Sequence, residues 1–278
     1  MSQPVTDFGQ NETPYERYVQ ADVLTHLQRP LTDDPGEMAF LVTTQVMELW
    51  FTVLVHEWRT AVDALRADRL PAALAALGRS AQELRALNAS WEPLARLTPR
   101  QFNAYRSALG EGSGFQSAMY RHVEFLLGEK SPSMLVPHQG TPRAHAELEQ
   151  ALRAPSLYDE ALAYLARHGA VIPDEVLLRE RTGRYEPHPA VEAAWRRIYA
   201  AGGDGGRGTG AESGPLRLGE ALTEVAELVW RWRSDHLAAT RRAMGGKAGT
   251  GGSSGVEWLE KRARRWVFPE LWTARGRV

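Results

Sequence analysis

Residues 34–66 read DPGEMAFLVTTQVMELWFTVLVHEWRTAVDALR, and this stretch decides the fold. Asp34 suits a helix N-cap, because its carboxylate accepts from the free backbone N–H groups of the first turn. Pro35 suits the first helical position, and Glu37 at the third completes a capping-box pattern. Behind that start, Phe40, Leu41, Thr44, Met47, Glu48, Phe51 and Val55 recur at helical spacing through about Arg66. The pattern predicts one long amphipathic helix.

The same logic extends in both directions. Thr13-Pro14-Tyr15-Glu16, Thr98-Pro99-Arg100-Gln101 and Ser156-Leu157-Tyr158-Asp159 are further helix starts. The second of these runs to Leu109 and stops at Gly110. Segments 70–88 and 141–153 are rich in the strong helix formers Ala, Leu, Glu and Arg. Leu216 to Met244 reads as another long helix, with Leu218, Leu222, Val225, Val229, Trp232, His236 and Ala239 as its apolar stripe. No segment alternates Val, Ile, Thr and aromatics around an Asn-Gly or Asp-Gly turn. The expected fold is all-α, a helical bundle forming a single domain over 1–278. Glycine-rich stretches at 202–214 and 245–255 are expected to be flexible loops.

Composition narrows the function classes. Lys and Arg total 33 against 34 Asp and Glu, so no global basic field exists to attract nucleic acid or an anionic membrane. Cysteine is absent, which excludes disulfides, cysteine-ligated metal centres, thiolate-ligated or covalently attached haem, and a thiol nucleophile. The polar N-terminus has no signal-peptide character, and uninterrupted apolar stretches are short of a bilayer span. A cytoplasmic protein with neither nucleic-acid nor membrane partners is expected.

Several residues could carry chemistry. His236 sits in an apolar stripe, where an imidazole needs a hydrogen-bond partner or a metal. It is either a satisfied core histidine or an axial ligand to haem iron. The loop Gly249-Thr250-Gly251-Gly252-Ser253-Ser254-Gly255 is an anion-binding nest, a lid, or a plain linker. Phe102, Arg106 and Leu109 share one helical face, so Arg106 either forks onto a carboxylate or lies along the surface. Ser113-Gly114-Phe115-Gln116-Ser117 forms a turn feeding another helix. Tyr15 and Tyr18 share a face.

Together these segments resemble one family. ELW (48–50), SGFQS (113–117), YRHVEFLLGEK (120–130), PSLYDE (155–160), GTGGSSGV (249–256) and FPELW (268–272) are similar in order and spacing to the tryptophan 2,3-dioxygenase family. The likeness runs from about 13 to 276 and touches the wider haem-dependent aromatic oxygenase group. It implies a helical bundle of the tryptophan/indoleamine dioxygenase type, carrying haem b and using O2 as co-substrate. It further implies a homotetramer that oxidises the indole C2–C3 bond of L-tryptophan to N-formylkynurenine.

Residue roles follow from the resemblance, position by position. His236 matches the proximal iron ligand. Thr250 matches the threonine that holds the substrate ammonium and carboxylate, and Arg106 the arginine that binds the carboxylate. Phe40 and Leu109 match the walls around the indole. Ser113 and Gly114 match the haem face near the oxygen site, and Trp91 lies near the haem edge. Tyr15 and Tyr18 match tyrosines that reach a neighbouring subunit's pocket. Two positions depart from the pattern. Thr44 stands where such dioxygenases usually carry a distal histidine, and Phe102 where tyrosine is common. Thr44 can still accept a bond from the indole N–H, but it does not titrate near neutral pH. With that change, monooxygenation of tryptophan or a β-substituted tryptophan to a 2-oxindole is an alternative outcome. A non-enzymatic haem sensor or carrier is a further one.

Overall fold

The computed structural model describes residues 13–203, 213–249 and 254–277. Among them run thirteen α-helices and no strand: α1 (Pro14–Val19), α2 (Ala21–Thr25), α3 (Pro35–Arg66), α4 (Leu70–Ala89), α5 (Pro99–Arg106), α6 (Ala118–Leu126), α7 (Pro142–Arg153), α8 (Leu157–Arg167), α9 (Asp174–Leu177), α10 (Pro189–Gly203), α11 (Gly214–Met244), α12 (Val256–Ala263) and α13 (Pro269–Arg275). The all-α expectation holds.

The helix starts form where the caps place them, with two adjustments. Thr98 with Gln101 and Ser156 with Asp159 close full capping boxes. At Asp34 only half of the box forms. Asp34 accepts from Gly36 N, while Glu37 turns away and accepts from Leu31 N and Thr32 N at 2.7 and 2.8 Å. That carboxylate thereby clamps the chain that enters α3, and those bonds hold its pKa below the usual carboxylate range. Likewise Thr13 caps α1, but Glu16 accepts from Asp22 N rather than from its own cap.

The core gathers on α3. Leu54, Trp58, Ala61 and Leu65 have no exposed surface, and the helix packs on α4, α6 and α8. Shortening Leu54 to Ala would cost about 2–5 kcal/mol, from lost transfer energy and a residual cavity. α3 is, against expectation, long and apolar enough to cross a membrane. Its buried positions concentrate from Met47 to Leu65, while Met38, Val42, Leu49 and Val53 stay exposed. α11 packs on α4, and at Gly219 it comes so close to Trp195 that an added Cβ would sit 2.9 Å from the indole. The first glycine-rich stretch is shorter than expected: α10 extends through Gly203 and α11 starts at Gly214, because Ser213 caps it and Pro215 fits its first turn. The second lies between Met244 and Val256, where α11 ends and α12 begins. Residues 204–212 and 250–253 lie outside the described residues.

Candidate active site

One cavity of about 630 Å³ opens between α3, α5, α11 and α12. It falls within the roughly 300–1,000 Å³ of small-molecule sites. α3 contributes Phe40, Thr44, Met47, Glu48 and Phe51, which one helical face aims at the same space. α5 supplies Phe102 and Arg106, and Leu109 follows on the 3₁₀ turn Ser107–Leu109. α11 supplies Trp232 and His236 from its stripe. The turn Gly114–Gln116 brings Ser113 and Gly114 to the rim.

His236 makes no hydrogen bond or ion pair with any described residue, so it is not a satisfied core histidine. The Trp91 indole stacks on it, with ring centroids 4.6 Å apart and planes 17° apart, and Trp232 flanks it at 5.8 Å. The ring is half-buried and lines the cavity. Burial pushes its pKa down to about 4, because the cation would lose its hydration here. At neutral pH the imidazole is therefore uncharged, with a nitrogen lone pair free to ligate. Among the described residues no group of three or more His, Asp or Glu could hold a metal ion. An iron at His236 would draw its other donors from a prosthetic group. The buried Trp91 and Trp232 indole N–H groups, neither with a partner, belong to the same wall.

Arg106 reaches the opposite rim. Its Nη2 donates to the Ala248 carbonyl, and its buried Nε has no acceptor. Lys247 Nζ donates to Asn103 Oδ1 at 3.3 Å, so the start of the glycine-rich loop is tied to α5. At the loop's far end, Gly255 has φ +61°, and a Cβ there would meet the Lys247 carbonyl oxygen at 2.5 Å. Only glycine allows the two ends to approach so closely. Thr250 lies outside the described residues.

Phe40 packs against Phe102 at 6.0 Å and Tyr105 at 5.6 Å, making an aromatic wall. Thr44 Oγ1 donates to the Phe40 carbonyl at 2.9 Å. Ser113 Oγ accepts from Phe115 N at 3.4 Å, and Gln116 accepts from Ser113 N, so both ends of that turn are pinned. Tyr15 and Tyr18 do not line the cavity of their own chain, and they are 67% and 89% exposed.

Sequence reasoning missed part of the lining. Glu48 sits one turn beyond Thr44, and burial raises its pKa while a bond with Ser117 opposes the rise. Arg121, Arg233 and Arg262 also border the cavity, although each is at least nine-tenths buried. Arg121 and Glu124 stand three residues apart within YRHVEFLLGEK, a charged pair in an apolar run, and that spacing was the available signal.

Fold and cavity together define a helical protein that turns one uncharged imidazole and, from the opposite rim, Arg106 toward a largely apolar space. The chain belongs to the tryptophan 2,3-dioxygenase family, whose sequence model matches residues 1–200 and 207–278. It is 39% identical over 269 residues to the tryptophan 2,3-dioxygenase of Bordetella parapertussis, covering 97% of this chain and 92% of that one. It is 38% identical over 273 residues to that of Bacillus thuringiensis strain Al Hakam, covering 98% and 95%. It is 38% identical over 264 residues to that of Caulobacter vibrioides, covering 95% and 98%.

Proposed function

We propose that this chain is a haem-dependent oxygenase that adds both atoms of O2 across the indole C2–C3 bond of L-tryptophan, giving N-formylkynurenine. The observation that carries the reading is His236, uncharged and without a protein partner, in a cavity that also presents Arg106. A lone imidazole with no neighbouring ligand set suits an iron whose equatorial donors come from a porphyrin. When bound there, haem b supplies the iron chemistry that activates dioxygen.

The chain's own residues position the substrate. Arg106 holds the carboxylate through charge-assisted bonds. Thr250, two residues beyond Ala248, is assigned to the amino-acid end by its place in the sequence. Phe40 and Leu109 flank the indole. Thr44 donates its own proton to the Phe40 carbonyl, so its lone pairs remain to accept from the indole N–H. A hydroxyl does not remove that proton near neutral pH, so the indole nitrogen stays protonated. Ser113 and Gly114 border the oxygen side. The aromatic walls exclude water, and holding the substrate in place lowers the barrier.

Assembly as a homotetramer, with Tyr15 and Tyr18 reaching a neighbouring subunit's pocket, completes the reading. α1 and α2 bury no residue. Met38, Val42, Leu49 and Val53 form an exposed apolar stripe along α3. Both features suit a surface that a second copy covers. We place the enzyme in the cytoplasm.

Turnover of the reduced, haem-loaded protein with L-tryptophan under isotopic dioxygen tests the reaction. The expected product carries both labelled atoms in an opened ring. A product with a single labelled atom in an intact oxindole would overturn it.

A further inference from the structure

A buried ionic cluster borders the cavity and does not balance. Arg121 and Arg262 pair with Glu124; Arg262 and Arg233 pair with Glu129 at 2.7 and 2.9 Å. Three guanidiniums thus share two carboxylates, which leaves one positive charge. All five residues are at most 8% exposed.

Other carboxylates do not make up the difference. Glu48 lines the same cavity, but its partner is Ser117 and no cation contributes to its shift. Arg121 donates from Nε and Nη2 to the Phe115 carbonyl and Arg233 from Nη1 to the Arg265 carbonyl, while the buried Arg233 Nε has no acceptor. Arg262 is the residue that divides itself between both glutamates. Its buried Nε has no acceptor, and Trp258 lies against its guanidinium at 5.5 Å. Burial, with Arg265 and Arg121 adding to it, lowers its pKa to about 10. An unbalanced buried cation is costly unless an anion meets it.

We infer that Arg262, supported by Arg121 and Arg233, is the seat of a carboxylate of the prosthetic group, a propionate of the bound porphyrin. This rests on the haem reading above and adds an anchor independent of His236. All three arginines border the space that the porphyrin would fill. The glutamates fix the guanidinium fork, so little side-chain freedom is lost when the carboxylate arrives.

Titration of the apoprotein with haemin and with haemin dimethyl ester, followed by the Soret band, tests the inference. The wild type is expected to bind haemin about tenfold or more tightly than the ester. Arg262→Met leaves two arginines against two glutamates, so the cluster balances and the fold persists. In that variant the two porphyrins should bind within about threefold of each other, with ester binding unchanged from wild type. Arg262→Lys should retain part of the preference. Equal affinity of wild type for both porphyrins would overturn the propionate seat while leaving the haem reading intact. No Soret complex with either porphyrin would overturn both.

Discussion

Trp91 lies flat on the His236 imidazole, at 4.6 Å between ring centroids and 17° between planes. The contact joins the end of the α4 region to the middle of α11 and fixes the ring that faces the cavity. A stacked aromatic contributes about 0.5–1.5 kcal/mol beyond its buried area. Trp91→Leu should therefore weaken haem binding roughly three- to tenfold, while Trp91→Phe retains most of it. Competitive haem transfer to an apoglobin measures this. Identical transfer rates for Trp91→Leu and wild type would show that the stack does not orient the ligand.

Arg106 is expected to act on substrate binding before chemistry. A charge-assisted hydrogen bond in a desolvated site contributes about 1.5–3 kcal/mol, so Arg106→Ala should raise the tryptophan KM roughly tenfold to a hundredfold. Tryptamine, which lacks the carboxylate, should bind both proteins alike. If tryptophan bound Arg106→Ala as tightly as wild type, the carboxylate assignment would fail.

How much of this was legible in the sequence differs by residue. The long helices announced themselves through period and caps, and Pro35–Arg66 ends where its pattern ends. His236 was visible as a titratable residue in an apolar stripe, although only the structure showed that no side chain satisfies it. Glu37 and Glu16 misled, because a carboxylate three residues into a helix can serve the incoming chain instead of its own cap. Of the ionic cluster only the Arg121–Glu124 spacing was legible: Glu129 and Arg233 stand 104 residues apart, and nothing local reports that they meet.

Acid stability follows from His122. Burial, with the Arg59 cation beside it, lowers this histidine to about 4 from 6.5. Arg59 Nη2 donates to its Nδ1 at 3.3 Å, which suits the neutral ring. Between those pH values the unfolded chain carries a proton that the folded protein does not. Stability should thus rise with pH from 4 to 6.5 and level off above, by about 3 kcal/mol in total for this group. His138, also lowered by burial, acts in the same direction. Urea unfolding of the holoprotein across this range should show the slope, and His122→Gln should flatten it. An equally steep curve in the variant would assign the acid loss to other groups.

The most direct measurement is the Soret spectrum of apoprotein titrated with haemin, in wild type and His236→Ala. Wild type should form a single complex, His236→Ala should lose it, and added imidazole should restore the wild-type spectrum. A His236→Ala protein with the unaltered wild-type spectrum and full tryptophan turnover would contradict the assignment of this imidazole to the iron.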